Sequence, residues 1–215
     1  MLDGKLSKQQ LQAWIENRFY YQWSIPKKDS VIITKADDPE FRRAWMTRIA
    51  DHDGTASDEG GIAKWYRLAE AAGLKREDIA SLRHVLPGVR FAVDAYVNFC
   101  ASHSLVEAVA SSLTELFAPA LMAERVVALE KLYPWLDSRG LDYFRGRLVL
   151  ASRDSEFGLK FVVEHCTDRE LQDRAVEALS LKCDILWGIL DAIYYAYVSP
   201  GFLPPRWNDS QNQRT

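Results

Sequence analysis

Residues 179–197 read LSLKCDILWGILDAIYYAY, the most hydrophobic stretch of the 215-residue chain. Its apolar residues follow helical spacing and cover nearly the whole circumference of the helix rather than one stripe. Such a helix is expected to be buried on most sides. We therefore predict a helical bundle with this C-terminal helix at its centre and amphipathic helices packed around it.

Helix-start signals recur along the rest of the chain. Ser7 and Ser104 are each followed three residues later by Gln or Glu, which is the capping-box pattern, and Asp38-Pro39 supplies an N-cap followed by a proline. Alternating, strand-like segments are nearly absent, so the sequence predicts an all-α fold. The predicted helices span 7–25, 27–36, 39–52, 61–72, 88–102, 105–130, 138–165 and 168–198.

A proline interrupts the helix predicted over 105–130. Pro119 has no N–H, so the carbonyl of Glu115 loses its helical hydrogen bond. We expect a kink at this point. A kink is usually a matter of shape, but one beside an inward carboxylate could also open a pocket.

Length and composition limit the classes of protein. The chain is long enough for one domain, predicted over 1–200, with a C-terminal tail over 201–215. A net charge of −3 gives no general attraction for nucleic acid or an anionic membrane. The apolar run 183–198 contains two aspartates and is too short to span a bilayer. The first residues lack the apolar region of a signal peptide, which favours a cytoplasmic location.

The three cysteines, Cys100, Cys166 and Cys183, match no metal-ligand spacing. An odd number of cysteines in a cytosolic protein is typical of reduced thiols, and we expect all three in the core. No Glu-x-x-His pair of the kind used by di-iron bundles occurs, and the sequence predicts no metal site. It also contains no glycine-rich phosphate loop and no nucleophile elbow.

Several cations occupy helix positions where a core hydrophobe is expected. Arg18 continues an apolar stripe, Arg48 and His52 follow two aromatic residues at helical spacing, Arg147 comes one turn after a tyrosine, and Lys182 interrupts the C-terminal apolar run. An unpaired buried cation costs several kcal/mol. Inward cations on several helices therefore predict carboxylates of the protein's own or a polyanionic ligand.

Each of these residues also has an ordinary structural explanation. His52 lies near the end of its helix, where it could cap carbonyl groups rather than transfer protons. Tyr143 and Arg147 could form a stacked surface pair, and Glu115 could pair with Arg125. It is the accumulation of such residues on inward stripes that favours a binding site.

Seven runs of sequence, in order along the chain, resemble one known family. They are NRFYYQ (17–22), IPKKD (25–29), DHDG (51–54), EGGI (59–62), RHVLPGVRFAVDAY (83–96), SSLTELFAP (111–119) and YPW (133–135). In these runs, and from about residue 6 to 198, the chain resembles the pyrroloquinoline-quinone (PQQ) synthases. The resemblance implies a haem-oxygenase-like, TenA-type helical bundle that forms a homodimer.

The resemblance also implies an activity. The family closes a ring in a polycarboxylated quinone precursor and oxidises it with O2, releasing H2O2 and PQQ, without a metal or organic cofactor. His52, Tyr143 and Arg147 would form the catalytic centre at which O2 is bound and protonated. The residues implied in substrate binding are Arg18, Tyr21, Gln22, Arg48, Tyr96, Glu115, Arg125 and Lys182.

The chain departs from the family pattern in two places. Family members carry a preceding segment with a Tyr-His pair, for which no counterpart lies before Met1, and many have a histidine where this chain has Met122. Two other functions therefore stay open. One is a carrier that binds PQQ without making it, and the other is a TenA-like thiamin-pyrimidine hydrolase, which is disfavoured because its nucleophilic cysteine has no evident counterpart.

Overall fold

The computed structural model describes residues 1–199, apart from the side chain of Val149, and the predicted tail 201–215 lies outside the described residues. Between residues 1 and 199 the chain contains helices, turns and loops and no strand, which confirms the all-α prediction. Two 3-10 segments, Ser112–Phe117 and Ser138–Leu141, connect neighbouring helices. The α-helices are α1 (Lys8–Ile33), α2 (Pro39–Asp53), α3 (Gly60–Ala71), α4 (Arg76–Ser81), α5 (Pro87–Ser102), α6 (Leu105–Ser111), α7 (Ala118–Leu132), α8 (Asp142–His165) and α9 (Arg169–Tyr197).

The helix starts agree with the capping signals. Ser7 and Ser104 form complete capping boxes at α1 and α6, and the Asp38 side chain accepts hydrogen bonds from two backbone N–H groups at the start of α2. These contacts satisfy backbone donors that have no partner within the helix. The boundaries of these three helices are therefore determined locally.

Helix α1 is continuous where the sequence predicted a break. It runs through Pro26, although the ring removes one backbone hydrogen bond. Ile25 and Pro26 are both buried, as are Asp29 and Ile32 in the following turns. Packing on both sides of the proline stabilises the helix more than the missing bond weakens it. The predicted boundary between residues 25 and 27 is wrong for this reason.

The helix predicted over 105–130 is divided instead of kinked. Helix α6 ends at Ser111, the 3-10 segment Ser112–Phe117 follows, and Pro119 lies in the first turn of α7, where a missing N–H costs nothing.

The stretch Leu105–Leu132 is long and apolar enough to cross a membrane by length and composition, and 39% of its most apolar window is buried in the bundle. A single stretch of this kind is weak evidence for a membrane span.

Helix α9 packs mainly on α5 and α6, while α1 contacts α2, α3, α5 and α9 and takes the more central position. One face of α9, including Lys182 and Ile189, is buried. The opposite face exposes Trp187, Leu190 and Tyr194. The predicted central position of this helix is therefore corrected. Its composition shows that both faces are apolar, but not which of them the fold covers.

Candidate active site

The predicted site residues come from six helices and one 3-10 segment, and their side chains converge on the interior of the bundle. Helix α1 carries three of them, α2 and α8 carry two each, and α5, α7 and α9 carry one each. Glu115 lies on the 3-10 segment between α6 and α7. Contacts between the side chains divide the site into two parts with different electrostatic character.

In the first part, Arg48 is surrounded by carboxylates. Its guanidinium lies 2.6 Å from Glu115 Oε1, 3.5 Å from Asp29 Oδ1 and 3.4 Å from Asp154 Oδ2. Arg147 approaches two of these three acids, at 3.4 Å from Glu115 Oε2 and 3.8 Å from Asp154 Oδ2. Burial by itself would raise the pKa of Glu115, but Arg48 and Arg147 outweigh it and hold this pKa at about 2.

Asp29 extends this arrangement with a third buried cation. Its Oδ1 accepts hydrogen bonds from Lys28 Nζ at 2.6 Å and from Trp45 Nε1 at 2.9 Å. Lys28 also lies 3.4 Å from Ser112 Oγ, at the start of the 3-10 segment. We call Lys28, Asp29, Arg48, Glu115, Arg147 and Asp154 the paired cluster, since its three cations face three carboxylates.

The sequence analysis missed three members of the paired cluster as site residues, although signals for them existed. Lys28 and Asp29 lie in the IPKKD run, where a charged pair follows Ile25 on a helix that also carries Arg18. Asp154 comes seven residues after Arg147, so both lie on one face of α8. The arrangement also changes a predicted pairing, because Glu115 pairs with Arg48 and Arg147 and makes no ion pair with Arg125.

His52 lies beside the paired cluster and is buried. Its Nδ1 is 3.0 Å from the carbonyl oxygen of Arg48, so Nδ1 carries the proton and donates, while the buried Nε2 has no hydrogen-bond partner. Burial, with a further contribution from Arg147, lowers the pKa of His52 to about 4. The imidazole is therefore neutral near pH 7, with a free lone pair that can accept a proton. One nitrogen therefore makes the predicted contact to a helix carbonyl, while proton transfer through the other stays a prediction.

Tyr143 is fixed by two contacts. Its hydroxyl donates to Gln22 Oε1 at 2.6 Å, and its ring meets Trp65 edge to face at 4.8 Å between centroids. Burial raises the pKa of Tyr143, so the phenol stays protonated. Gly61 packs closely on this ring, since a Cβ at Gly61 would lie 3.3 Å from it. Tyr143 and Arg147 are therefore interior residues and not a surface pair.

A small cavity of about 10 Å³ is lined by His52, Tyr143 and Arg147 together with Gly61. This volume is about the room that one water-sized molecule requires. The three residues predicted to be catalytic thus line one small, partly open pocket.

The second part of the site contains cationic side chains that form no ion pair with a carboxylate of residues 1–199. Lys182 is buried, donates to Tyr21 Oη at 2.6 Å and lies 3.4 Å from the centroid of the Tyr96 ring. Arg18 stacks on the ring of Tyr21, with its Cζ 3.9 Å from the ring centroid. The buried Nη1 of Arg18 has no hydrogen-bond partner. Burial, together with Lys28 and Arg18, lowers the pKa of Lys182 well below its usual range.

Arg125 completes this second part. Its guanidinium lies 5.2 Å from the Trp14 ring and 5.6 Å from the Phe144 ring, and its Nη1 is 3.5 Å from the sulfur of Met122. Burial, followed by Arg18, lowers the pKa of Arg125 to about 10. Among residues 1–199, no carboxylate lies within 4 Å of the charged groups of Arg18, Arg125 or Lys182. We call these three residues the unpaired cluster.

A surface groove reaches Arg125 of the unpaired cluster. It has a volume of about 370 Å³ and lies between α1, α7 and α9, with Arg125 and Trp14 in its wall. Cavities of this size commonly hold small molecules. The groove therefore gives a ligand access to Arg125, whereas Arg18 and Lys182 do not line it.

Of the cysteines, Cys100 lies beside the site, because its sulfur contacts Ser111, which also contacts the hydroxyl of Tyr96. Cys100 is fully buried, and burial raises the pKa of its thiol, which keeps it protonated and unreactive. Cys166 is also buried, but Cys183 is exposed on α9, so the prediction of three core thiols is wrong for Cys183. Within the described residues, no group of three or more His, Cys, Asp and Glu side chains is arranged to hold a metal ion.

Solved structures define the class of fold. A haem-oxygenase-like domain of unknown function from Shewanella denitrificans superposes with a TM-score of 0.73 and 17% identity, covering 94% of this chain and 85% of that one. A TenA homologue from Pseudomonas syringae gives a TM-score of 0.70 and 17% identity, covering 90% and 82%. The protein is therefore a haem-oxygenase-like helical bundle, as the sequence predicted.

Sequence comparison is more specific. The profile of the TENA/THI-4/PQQC family matches residues 1–192, and the chain belongs to this family. It is 52% identical over 202 residues to the pyrroloquinoline-quinone synthase of Rhizobium meliloti, covering 94% of this chain and 79% of that one. The enzyme of the same name from Pseudomonas aeruginosa is 51% identical over 197 residues, covering 92% and 79%. That of Acinetobacter baylyi is 53% identical over 198 residues, covering 92% and 78%.

Proposed function

We propose that this protein is a pyrroloquinoline-quinone synthase, an enzyme of PQQ biosynthesis. Its substrate is a polycarboxylated quinone precursor, which it closes into the final ring system and oxidises with O2. The similarity to enzymes of this name extends over more than nine-tenths of the chain. The observation that carries the proposal is the unpaired cluster, because three inward cations with no carboxylate within 4 Å among residues 1–199 match a substrate that brings several of its own.

Substrate binding is assigned first to the unpaired cluster. Arg18 and Arg125 can each present a planar guanidinium to a carboxylate, and Lys182 can donate to a carboxylate or quinone oxygen. Tyr21 lies between Arg18 and Lys182 and has a hydroxyl within reach of the same ligand. The remaining residues of the proposed pocket are Gln22, Arg48, Tyr96 and Glu115.

Oxygen chemistry is assigned to His52, Tyr143 and Arg147. Each pair of electrons that leaves the precursor, together with two protons, reduces one O2 to one H2O2. The free Nε2 of His52 can accept a proton from the precursor and pass it on, and Arg147 can stabilise negative charge that develops on oxygen in the small cavity. The protein then needs to hold the substrate, manage protons and exclude water.

Three further properties belong to the same proposal. The reaction requires no metal or organic cofactor, because the precursor gives its electrons to O2 directly. The protein is a cytoplasmic homodimer. The exposed apolar face of α9, with Trp187 and Leu190, supports the dimer, since large apolar patches on a protein surface are commonly interfaces.

Incubation of the protein with the precursor, with and without O2, tests the function. A synthase consumes O2, releases H2O2 and yields PQQ, which is followed by its visible absorption. A carrier binds added PQQ without consuming O2, and this outcome would replace the proposal. Release of a pyrimidine product from thiamin derivatives would instead identify a hydrolase, although the buried, protonated Cys100 is a poor nucleophile for that reaction.

A further inference from the structure

We propose that Asp154 is a positioning residue, which helps to hold Arg48 and Arg147 beside His52 as a buried counterion that both share. The inference rests on the proposed function, because it concerns how Arg147 is held beside His52 in the part of the site assigned to oxygen chemistry. Three observations carry it, namely the placement of Asp154, the way its two oxygens are used and the charge balance of the paired cluster.

Asp154 is placed by helix geometry and held by a second residue. It lies two turns after Arg147 on α8, and its side chain is only 4% exposed. Its Oδ1 accepts hydrogen bonds from Arg153 Nε at 3.0 Å and Nη2 at 2.6 Å. The same guanidinium pairs with Asp51, the neighbour of His52 on α2. Arg153 thus ties Asp154 to the helix that carries His52.

The other oxygen of Asp154 serves the two site arginines. Oδ2 lies 3.4 Å from Arg48 and 3.8 Å from Arg147 and makes no direct hydrogen bond, so its effect on both is electrostatic. Two guanidiniums at this separation from one atom would otherwise repel each other. Glu115 also contacts both, but it is partly exposed and lies on a short 3-10 segment. Glu115 is therefore the nearer partner of both arginines, and Asp154 is the more fully buried of the two shared acids and the one that Arg153 ties to α2.

The charge balance makes the consequence measurable. The paired cluster is neutral with Asp154 ionised, whereas the Asp154→Asn protein has one excess positive charge in the same place. An anionic ligand in the neighbouring unpaired cluster should then bind more tightly. At the same time Arg147 loses the contact that places it beside His52, so turnover should slow. A loss of packing alone would weaken binding and turnover together.

The experiment measures PQQ binding by titration and precursor turnover by O2 consumption in wild-type protein and Asp154→Asn. We expect the Kd for PQQ to fall about threefold or more and turnover to fall about tenfold or more. Asp142→Asn is the matched control, because Asp142 is a half-exposed residue at the start of the same helix, paired with Arg145. The control should change neither quantity.

Unchanged turnover in Asp154→Asn, or parallel losses of affinity and turnover, would overturn the inference. If this variant does not fold, Asp154→Glu supplies the test, because it keeps the charge but displaces it by one methylene. We expect wild-type affinity for PQQ with reduced turnover, and full turnover would refute the positioning role. A wild-type protein that neither binds PQQ nor consumes O2 would instead remove the proposed function itself.

Discussion

The guanidinium of Arg48 and the carboxylate of Glu115 form an ion pair of 2.6 Å that joins α2 to the 3-10 segment between α6 and α7. The bundle thus contains two kinds of buried cation, which differ in whether carboxylates of the protein surround them. Arg48 has three carboxylates of the protein around it, while Lys182 has none within ion-pair distance among the described residues. The two kinds of cation should respond to substitution in opposite directions, which the first two predictions use.

Replacing Arg48 with Met should destabilise the fold. The substitution leaves Asp29, Glu115 and Asp154 with one cation fewer in a buried place, and breaking a buried pair from one side costs about 3–5 kcal/mol. Urea denaturation measures the free energy of unfolding. Arg43→Met, on an exposed position of the same helix, is the control and should change it by less than about 1 kcal/mol. If Arg48→Met lowers the free energy of unfolding by no more than the control does, the result contradicts the pairing.

Replacing Lys182 with Met should leave stability unchanged or raise it. Lys182 is 1% exposed, and an apolar side chain of similar length removes a buried amine that forms no ion pair among residues 1–199. Affinity for PQQ should fall at least about tenfold, because a charge-assisted contact is lost. Thermal unfolding and PQQ titration on the same samples check both directions. A destabilised variant that still binds PQQ normally would show that Lys182 is a structural residue.

Helices with strong local signals were predictable, whereas the continuity of α1, the division of 105–130, the short helix α4 and the two parts of the site were not. Caps and apolar spacing are read within one turn, so the bounds of α2 and α5 agree closely with the predicted 39–52 and 88–102. The pairing of Arg48 with Glu115 depends on how distant segments pack, and no spacing along the chain encodes it. The family motifs supplied the site residues, but not which of the cations already have carboxylates as partners.

His52 should make the fold less stable in mild acid. Its pKa is about 4 in the folded protein, below the ordinary value of 6.5, so the unfolded chain binds the proton more readily. The free energy of unfolding should therefore decrease as the pH falls from about 6.5 towards 4, by up to about 3 kcal/mol from this residue. Denaturation at several pH values compares wild type with His52→Asn, which should lose this part of the slope.

His103→Asn serves as the control for that experiment, because His103 is an exposed residue at the end of α5. The loss of stability in mild acid that is assigned to His52 should persist in this variant, because His52 is unchanged. Identical slopes in wild type and His52→Asn would mean that His52 is already protonated in the folded protein, or titrates as it does in the unfolded chain.

His52→Ala should slow turnover without abolishing binding. The substitution removes the free Nε2 beside Tyr143 and Arg147, and general acid–base groups contribute about 100-fold or more to rate. The affinity for PQQ should stay within about threefold, because the unpaired cluster is intact. Single-turnover oxidation of the precursor and PQQ titration separate the two effects. Normal turnover in this variant would exclude His52 as the proton carrier.

The exposed face of α9 should determine the oligomeric state. Trp187 is 68% exposed and lies near Leu190 and Tyr194 on that face, so covering it in a homodimer would remove a large apolar area from water. Trp187→Glu places a charge there and should convert a dimer into monomers, as measured by analytical ultracentrifugation. Phe91→Glu is the matched control, because Phe91 is 79% exposed on α5, and it should stay dimeric. A dimer that persists in Trp187→Glu and dissociates in Phe91→Glu would place the interface on α5 instead.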